Sequence, residues 1–193
     1  EAIVLEEIMS NPHPFEPRSM KGLCTIEDEY LATISPDQKT IFFTRRSKKI
    51  NKRDGPGART RIVEEFSISN KQNDGLFEEG MAMDSPFNTN YNEGGPSITA
   101  DNTELYFTVC QDIKGYKNCD IYFSQLDAMG YWSTPVSVGD HINRRDSWES
   151  QPAVSANGDK LFFASNRKNG IGGLDIYVCT RTIEGDWSRP KNL

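Results

Sequence analysis

The sequence predicts an all-β fold of three repeated four-stranded antiparallel units. Three observations predict it: a segment that recurs three times, a second set of aromatic anchors with its own fixed spacing, and period-2 apolar patterning without a helical period. The recurring segment occupies residues 29–43, 93–107 and 149–163, at offsets of 64 and 56 residues. Each copy starts with an acid (Glu29, Glu93, Glu149), passes through a polar turn and ends in two adjacent aromatic residues: Phe42-Phe43, Tyr106-Phe107 and Phe162-Phe163. Phe77, Trp132 and Trp187 follow at a spacing of 55 in both steps, and Asp120-Ile121-Tyr122 returns 55 residues later as Asp175-Ile176-Tyr177. Two independent anchors holding one period make a chance match untenable.

Within the middle unit, residues 96–99 form a short strand and Ala100-Asp101-Asn102 a tight turn, since Asp and Asn tolerate turn conformations. Residues 105–110 and 120–125 are rich in β-branched and aromatic side chains and pair across a Gly-containing loop, and residues 132–138 close the unit. The third unit repeats this plan, with Gly170-Ile171-Gly172-Gly173 as its hairpin loop. Four short antiparallel strands per unit of about 40–55 residues are the signature of a β-propeller blade. The expected organisation is a lead-in segment at 1–26, which can supply the outer strand of a closing blade, then blades at 27–88, 89–143 and 144–193. Three blades do not close a ring, so they belong to a larger propeller, expected to have six. Successive strand side chains point to opposite faces, so each aromatic pair places one ring on either side of its sheet, both buried between neighbouring blades.

With 36% hydrophobic and 26% charged residues the chain supports a packed core. The net charge of −6 excludes a general nucleic-acid binder, which carries a basic footprint. The longest apolar runs, such as Leu161-Phe162-Phe163-Ala164, are far too short to span a bilayer, and the acids among residues 1–7 are incompatible with a signal peptide there.

The motifs Ser35-Pro36-Asp37 and Ser155-Ala156-Asn157-Gly158 precede apolar strands. Ser165-Asn166-Arg167 leads into Gly172-Gly173-Leu174-Asp175-Ile176-Tyr177, and Trp187-Ser188-Arg189-Pro190 closes the chain. Together they resemble the TolB-type, WD-repeat-like propeller of OmpA-family envelope proteins of Bacteroidetes-type bacteria, the family that includes the PorE-like component of type IX secretion. The resemblance covers the chain from about Glu27 onward, and Asn11-Pro12-His13-Pro14-Phe15 is similar to that family's lead-in to its first blade. It implies a periplasmic, outer-membrane-associated module whose partners are other envelope or secretion-system proteins. The helical and peptidoglycan-binding domains that flank the propeller in that family are not in this sequence, so peptidoglycan binding is not carried over.

Four sets of residues are candidates for chemistry. Cys110 and Cys119 sit at facing ends of two hairpin strands, within reach of a disulfide, which implies an oxidising compartment; Cys24 and Cys179 have no evident partner. No Cys-x-x-Cys occurs, so neither zinc nor another cofactor is expected. Glu29, Glu93 and Glu149 hold one equivalent position, just before the innermost strand. They could ring the mouth of a channel as cation ligands, but repetition favours a structural bond that recurs with the blade. His13 and His141 stand in no nucleophile motif, and no pair of acids departs from the repeat as a glycosidase requires, so the chain is expected not to be an enzyme.

The remaining set breaks the repeat. The stretch 45–61 carries Arg45, Arg46, Lys48, Lys49, Lys52, Arg53, Arg59 and Arg61 against Asp54 alone, in an insertion between the second and third strands with a Gly-Pro-Gly tip. It is either a solvated loop or a contact surface for an acidic protein or an anionic envelope polymer. The resulting expectation is a non-catalytic scaffold that binds envelope proteins. The alternative is a propeller that binds or processes a carbohydrate or peptide at its channel mouth.

Overall fold

The computed structural model describes residues 9–10, 16–50, 60–89, 91–113 and 116–193, and the side chains at 50, 112, 113, 116 and 117 are outside that description. Of the lead-in at 1–26, expected to supply an outer strand, residues 1–8 and 11–15, with His13, lie outside the described residues, and the described part 16–26 forms no strand. Among the described residues twelve strands form three antiparallel sheets, each in simple chain order. The first holds β1 (Asp28–Ile34), β2 (Thr40–Ile50), β3 (Thr60–Asn70) and β4 (Met81–Ala82). The second holds β5 (Asn92–Ile98), β6 (Glu104–Ile113), β7 (Tyr116–Gln125) and β8 (Val136–Ser137). β9 (Glu149–Val154), β10 (Lys160–Ser165), β11 (Asp175–Thr180) and β12 (Lys191–Asn192) make the third.

The repeat is carried by backbone geometry as much as by side chains. The aromatic anchors Phe77, Trp132 and Trp187 each make an isolated antiparallel bridge, to Lys71, Leu126 and Arg181. The first strand of every sheet breaks register two residues after its glutamate, where Leu31, Gly95 and Gln151 have φ of 48°, 64° and 54°. Such left-handed values disfavour Leu and Gln, so surrounding contacts must hold the bulge in place.

Those contacts join one sheet to the next. The Gly95 N–H donates to Thr44 Oγ1 at 3.0 Å, and the equivalent Gln151 N–H donates to Thr108 Oγ1 at 3.1 Å. Thr44 and Thr108 are 2% and 5% exposed, so each bond is made away from water. A Cβ on Gly94 would lie 2.2 Å from Thr44 Oγ1, which is why only glycine permits this approach. Further links between the second and third sheets are Val154 N–H to Ser97 Oγ at 2.9 Å and an ion pair of Arg181 with Glu104 at 2.7 Å. The Arg181 guanidinium also stacks on Trp187, and burial foremost, with the Glu104 carboxylate beside it, pushes the Tyr106 phenol up from its ordinary value.

Apolar layers fill the spaces between sheets. Phe42, Phe66, Leu105 and Phe107 form the first layer with Phe87, and Tyr106, Ile121, Leu161 and Phe163 form the second with Trp187. Phe43, the partner ring of Phe42, turns to the opposite face and packs with Leu23 and Ile41. The aromatic pairs therefore split across their sheets, with one departure: Phe162 is only half-buried, because no described sheet covers its face of the third sheet. Ile176 on that face is 59% exposed, whereas the equivalent Phe66 and Ile121 are fully buried.

Removing the Thr108 hydroxyl tests the link between sheets. Thr108→Val leaves the Gln151 amide without its acceptor and is expected to lower stability in urea unfolding by about 1–3 kcal/mol, with Thr108→Ser recovering most of the loss. A larger loss for Ser than for Val would show that the methyl group, and not the hydroxyl, matters.

Candidate functional site

The three glutamates lie inside strands β1, β5 and β9, not before them as the sequence suggested, and each carboxylate is occupied. Glu29 accepts from Thr25 Oγ1 at 2.6 Å and from Arg45 Nε at 3.0 Å. Glu93, 3% exposed, accepts from the backbone N–H groups of Asn88 and Thr89 at 2.8 and 2.7 Å and from Thr89 Oγ1 at 2.6 Å. Glu149, fully buried, takes Arg144 N–H at 2.9 Å, Ser147 Oγ at 2.6 Å, Ser165 Oγ at 2.7 Å and the Arg167 guanidinium at 3.3 Å. Each acid thus ties down the loop that leads into its own strand. Among the described residues no three metal-ligating side chains converge, so the glutamates form no cation ring there.

Arg45 and Arg167 complete two of these knots. Arg45 bridges Glu29 to the carbonyls of Gly80 and Leu23 and lies over Phe43, and Arg167 bridges Glu149 to the Ile142 carbonyl and lies over Phe163 and Tyr177. Buried guanidinium and carboxylate groups are tolerable only with this degree of pairing. In the middle sheet Val109 stands opposite Glu93, and hydrogen-bond donors alone hold that carboxylate.

This reassigns part of the basic insertion. Arg45, expected on a partner surface, turns inward and is structural. The insertion is also not simply a loop: β2 and β3 are 11 residues each and pair from Thr40↔Asn70 to Ile50↔Thr60, so its flanks are regular hairpin. That register sets Glu65 opposite Arg45 and Glu64 opposite Arg46, acids that a count ending at residue 61 misses. Arg46 pairs with Asp28 at 3.6 Å, and Lys49 pairs with Glu65. Tyr30 donates to Glu64 at 2.7 Å, and burial together with that carboxylate pushes its phenol up. Lys48 and Arg61 are exposed, while Lys52, Arg53, Arg59 and the 54–57 tip lie outside the described residues.

Cys110 and Cys119 are directly paired residues of β6 and β7 and are joined as a disulfide. Cys24 is exposed as a free thiol, whereas Cys179 is buried in the second apolar layer, where burial pushes its thiol up to about 12. At neutral pH Cys179 is therefore a packing residue, protonated and unreactive.

A further cluster was invisible as a sequence motif. A groove of about 790 Å³ opens between the loop after β8, the loop after β10 and strand β12. Arg144 and Arg145 come from the first of these, Lys168 from the second, and Arg189 flanks β12. Asp146 lies among them, accepting from Arg144 at 3.1 Å and pairing with Lys168 at 3.6 Å; the Arg144 bond foremost holds its carboxyl below the usual range. No ion pair among the described residues engages Arg145 or Arg189. Tyr177 and Asn192 also line it, and the Tyr177 hydroxyl and both polar atoms of the Asn192 amide are buried without a hydrogen-bond partner among the described residues. The signal was available in the repeat alignment: 55 residues earlier, Arg144, Arg189 and Asn192 correspond to Thr89, Thr134 and Ser137. A second groove, of about 450 Å³ beside Trp132, contains Asp127, whose carboxylate is taken by the N–H groups of Met129 and Tyr131.

No protein-family model matches the chain, and no curated protein matches it. Among solved structures it is similar to a glycosyl hydrolase from Bacteroides ovatus, at 11% identity and a TM-score of 0.37, over 84% of this chain and 51% of that one. The chain spans about half the length of that structure.

The Glu149 knot has a measurable consequence. Glu149→Ala leaves Arg167 buried and unpaired and is expected to cost about 3–5 kcal/mol in urea unfolding. The double variant Glu149→Leu with Arg167→Met should be less destabilised than Glu149→Ala, since it removes both charges. A double variant at least as unstable as the single one would contradict that account of the knot.

Proposed function

We propose that the three sheets are successive blades of a β-propeller serving as a non-catalytic interaction scaffold in a periplasmic, outer-membrane-associated envelope protein. The observation that carries this reading is the fate of the carboxylates. Glu29, Glu93 and Glu149, the acids that the repeat sets at one equivalent position, are all consumed in holding loops and arginines. What departs from the repeat is charged and exposed, as at Lys48, Arg145 and Arg189. Surface charge on a rigid frame suits recognition of a partner.

The stacking supports the blade arrangement. β5 packs against β1, β2 and β3, and β9 packs against β5, β6 and β7, so each sheet's first strand lies against the sheet before it. The far face of the third sheet, with Ile176 uncovered, matches the faces that the following sheet covers at Phe66 and Ile121, and it suits a further sheet of the same kind. The Cys110–Cys119 disulfide fits an oxidising compartment, as the periplasm is.

A photocrosslinking residue at Lys48, introduced into the protein in its native envelope, tests the scaffold reading. A discrete protein adduct is expected from this hairpin position, with none from Ile183 on an unrelated turn. Hydrolysis of an envelope glycan or peptide that is lost in Glu93→Gln, together with no adduct from Lys48, would overturn it.

A further inference from the structure

We propose that the far face of the third sheet docks one more four-stranded sheet of the same build, locked by an asparagine side chain on the Ile176 backbone. The inference rests on the blade reading and names the partner of that face. Twice in the structure an asparagine joins one sheet to the next. Asn88 stands five residues before Glu93, and Asn143 six before Glu149. Asn88 Oδ1 accepts from Phe66 N–H at 2.7 Å, while its Nδ2 donates to the Phe66 and Met83 carbonyls at 2.7 and 2.8 Å. Asn143 does the same to Ile121, accepting from its N–H at 2.8 Å and donating to its carbonyl at 2.7 Å. A carboxamide carries both an acceptor and donors, so it pairs with a strand as a further strand residue would.

The third sheet presents the same receptor without the side chain that fills it. Ile176 stands opposite Ala164 as Phe66 stands opposite Thr44 and Ile121 opposite Thr108. Its carbonyl takes Leu193 N–H at 3.1 Å, just as the Phe66 and Ile121 carbonyls take those of Met83 and Val138 at 2.9 and 3.2 Å. The backbone at Ile176 is therefore set in the geometry that the two asparagines engage, and among the described residues no asparagine reaches it. The apolar surface beside it continues an interface formed twice already. Phe66 and Ile121 are fully buried under the sheet that follows them, and Ile176 is their uncovered counterpart.

Two features select the occupant and describe how it is held. The first sheet of a second copy fits poorly: Cys24, five residues before Glu29, stands where Asn88 and Asn143 stand, and Met20 and Leu23 already pack on Ile41 and Phe43. At the acceptor position of Thr44 and Thr108, which take the Gly95 and Gln151 amides, the third sheet has Ala164, which has no hydroxyl. The incoming sheet is thus held by the asparagine and by apolar burial without a bulge bond, and this boundary is weaker than the two before it.

The test appends a second copy of residues 139–193 after Leu193, which sets the copy of Asn143 five residues beyond Leu193. Maleimide labelling is followed peptide by peptide by mass spectrometry. In the chain itself Ile176→Cys is expected to react at the rate of Ile183→Cys on an exposed turn. In the extended chain it should react at least about tenfold more slowly, because reaction then requires the sheets to part. Leu in place of the copied asparagine should restore most of the labelling, and Ala164→Thr should slow it further by giving the copied Gln151 amide its acceptor. Phe162→Cys is a second probe of the same face should Ile176→Cys disturb the sheet. Unchanged labelling in the extended chain, or protection that survives loss of the copied asparagine, would overturn the proposal. In the native envelope Ile176→Cys should also be protected, and a photocrosslinking residue at Ile176 should join the protein only to itself. An adduct there with a second copy or with another polypeptide would overturn it by giving the face to a separate partner. Protection at Ile176 without an adduct from Lys48 counts against the scaffold role alone, and free labelling at Ile176 with an adduct from Lys48 counts against the docked sheet alone.

Discussion

The structure depends on one small interaction made twice: the amide of a bulged residue on the first strand of a sheet donates to a buried threonine hydroxyl on the sheet before it. The bulge forces left-handed backbone at Gly95 and Gln151, and the threonine makes that conformation worth keeping by satisfying an amide the bulge has taken out of the ladder. Because the bond crosses between sheets, it also sets how closely and in what register they stack. Phe66 meeting Phe107, with ring centroids at 5.5 Å, and Tyr106 meeting Trp187, at 6.0 Å, follow from that spacing. Hydrophobic burial supplies most of the stability, but it is not directional, and the bulge bond supplies the alignment.

The same frame separates structural chemistry from chemistry open to a partner. A carboxylate that recurs at one position of every unit meets the same loop each time, and here the loop's N–H and hydroxyl groups saturate it. Arginine is added where the strand geometry admits it, at Arg45 and Arg167, and is replaced by Val109 where the knot closes without it. The groove of the third sheet opens beside one of these knots. Its cations Arg144, Arg145 and Lys168 sit on loops, and the first of those loops is fixed by a glutamate knot, since Arg144 N–H is itself bound by Glu149. Rigid knots and an open groove are thus neighbouring parts of one loop.

Much of this was legible in the residues. The period of 55 between Phe77, Trp132 and Trp187 corresponds to three bridges of the same kind, and adjacent aromatic residues split across their sheet because strand geometry allows nothing else. The hairpin that brings Cys110 opposite Cys119 follows from turn and strand patterning. Register was harder to read. Glu64 and Glu65 offset part of the insertion's charge because β3 pairs with β2 residue for residue, and no charge count along the chain shows that. Arg45 turns inward because it is the position opposite Glu29, a fact of pairing and not of composition. The groove was hidden for a third reason: Arg144, Lys168 and Arg189 are far apart in sequence and meet only once the loops around the third sheet are folded.

Hydrogen exchange at individual amides under native conditions tests most directly whether the sheets form one body through the bulge bonds. The account predicts that the Gly95 and Gln151 amides exchange only with global unfolding, at the same rate as core amides of β6 and β10, and that Thr108→Val releases Gln151 selectively. Exchange of Gly95 and Gln151 at the rate of exposed loops, while β6 and β10 stay protected, would contradict it.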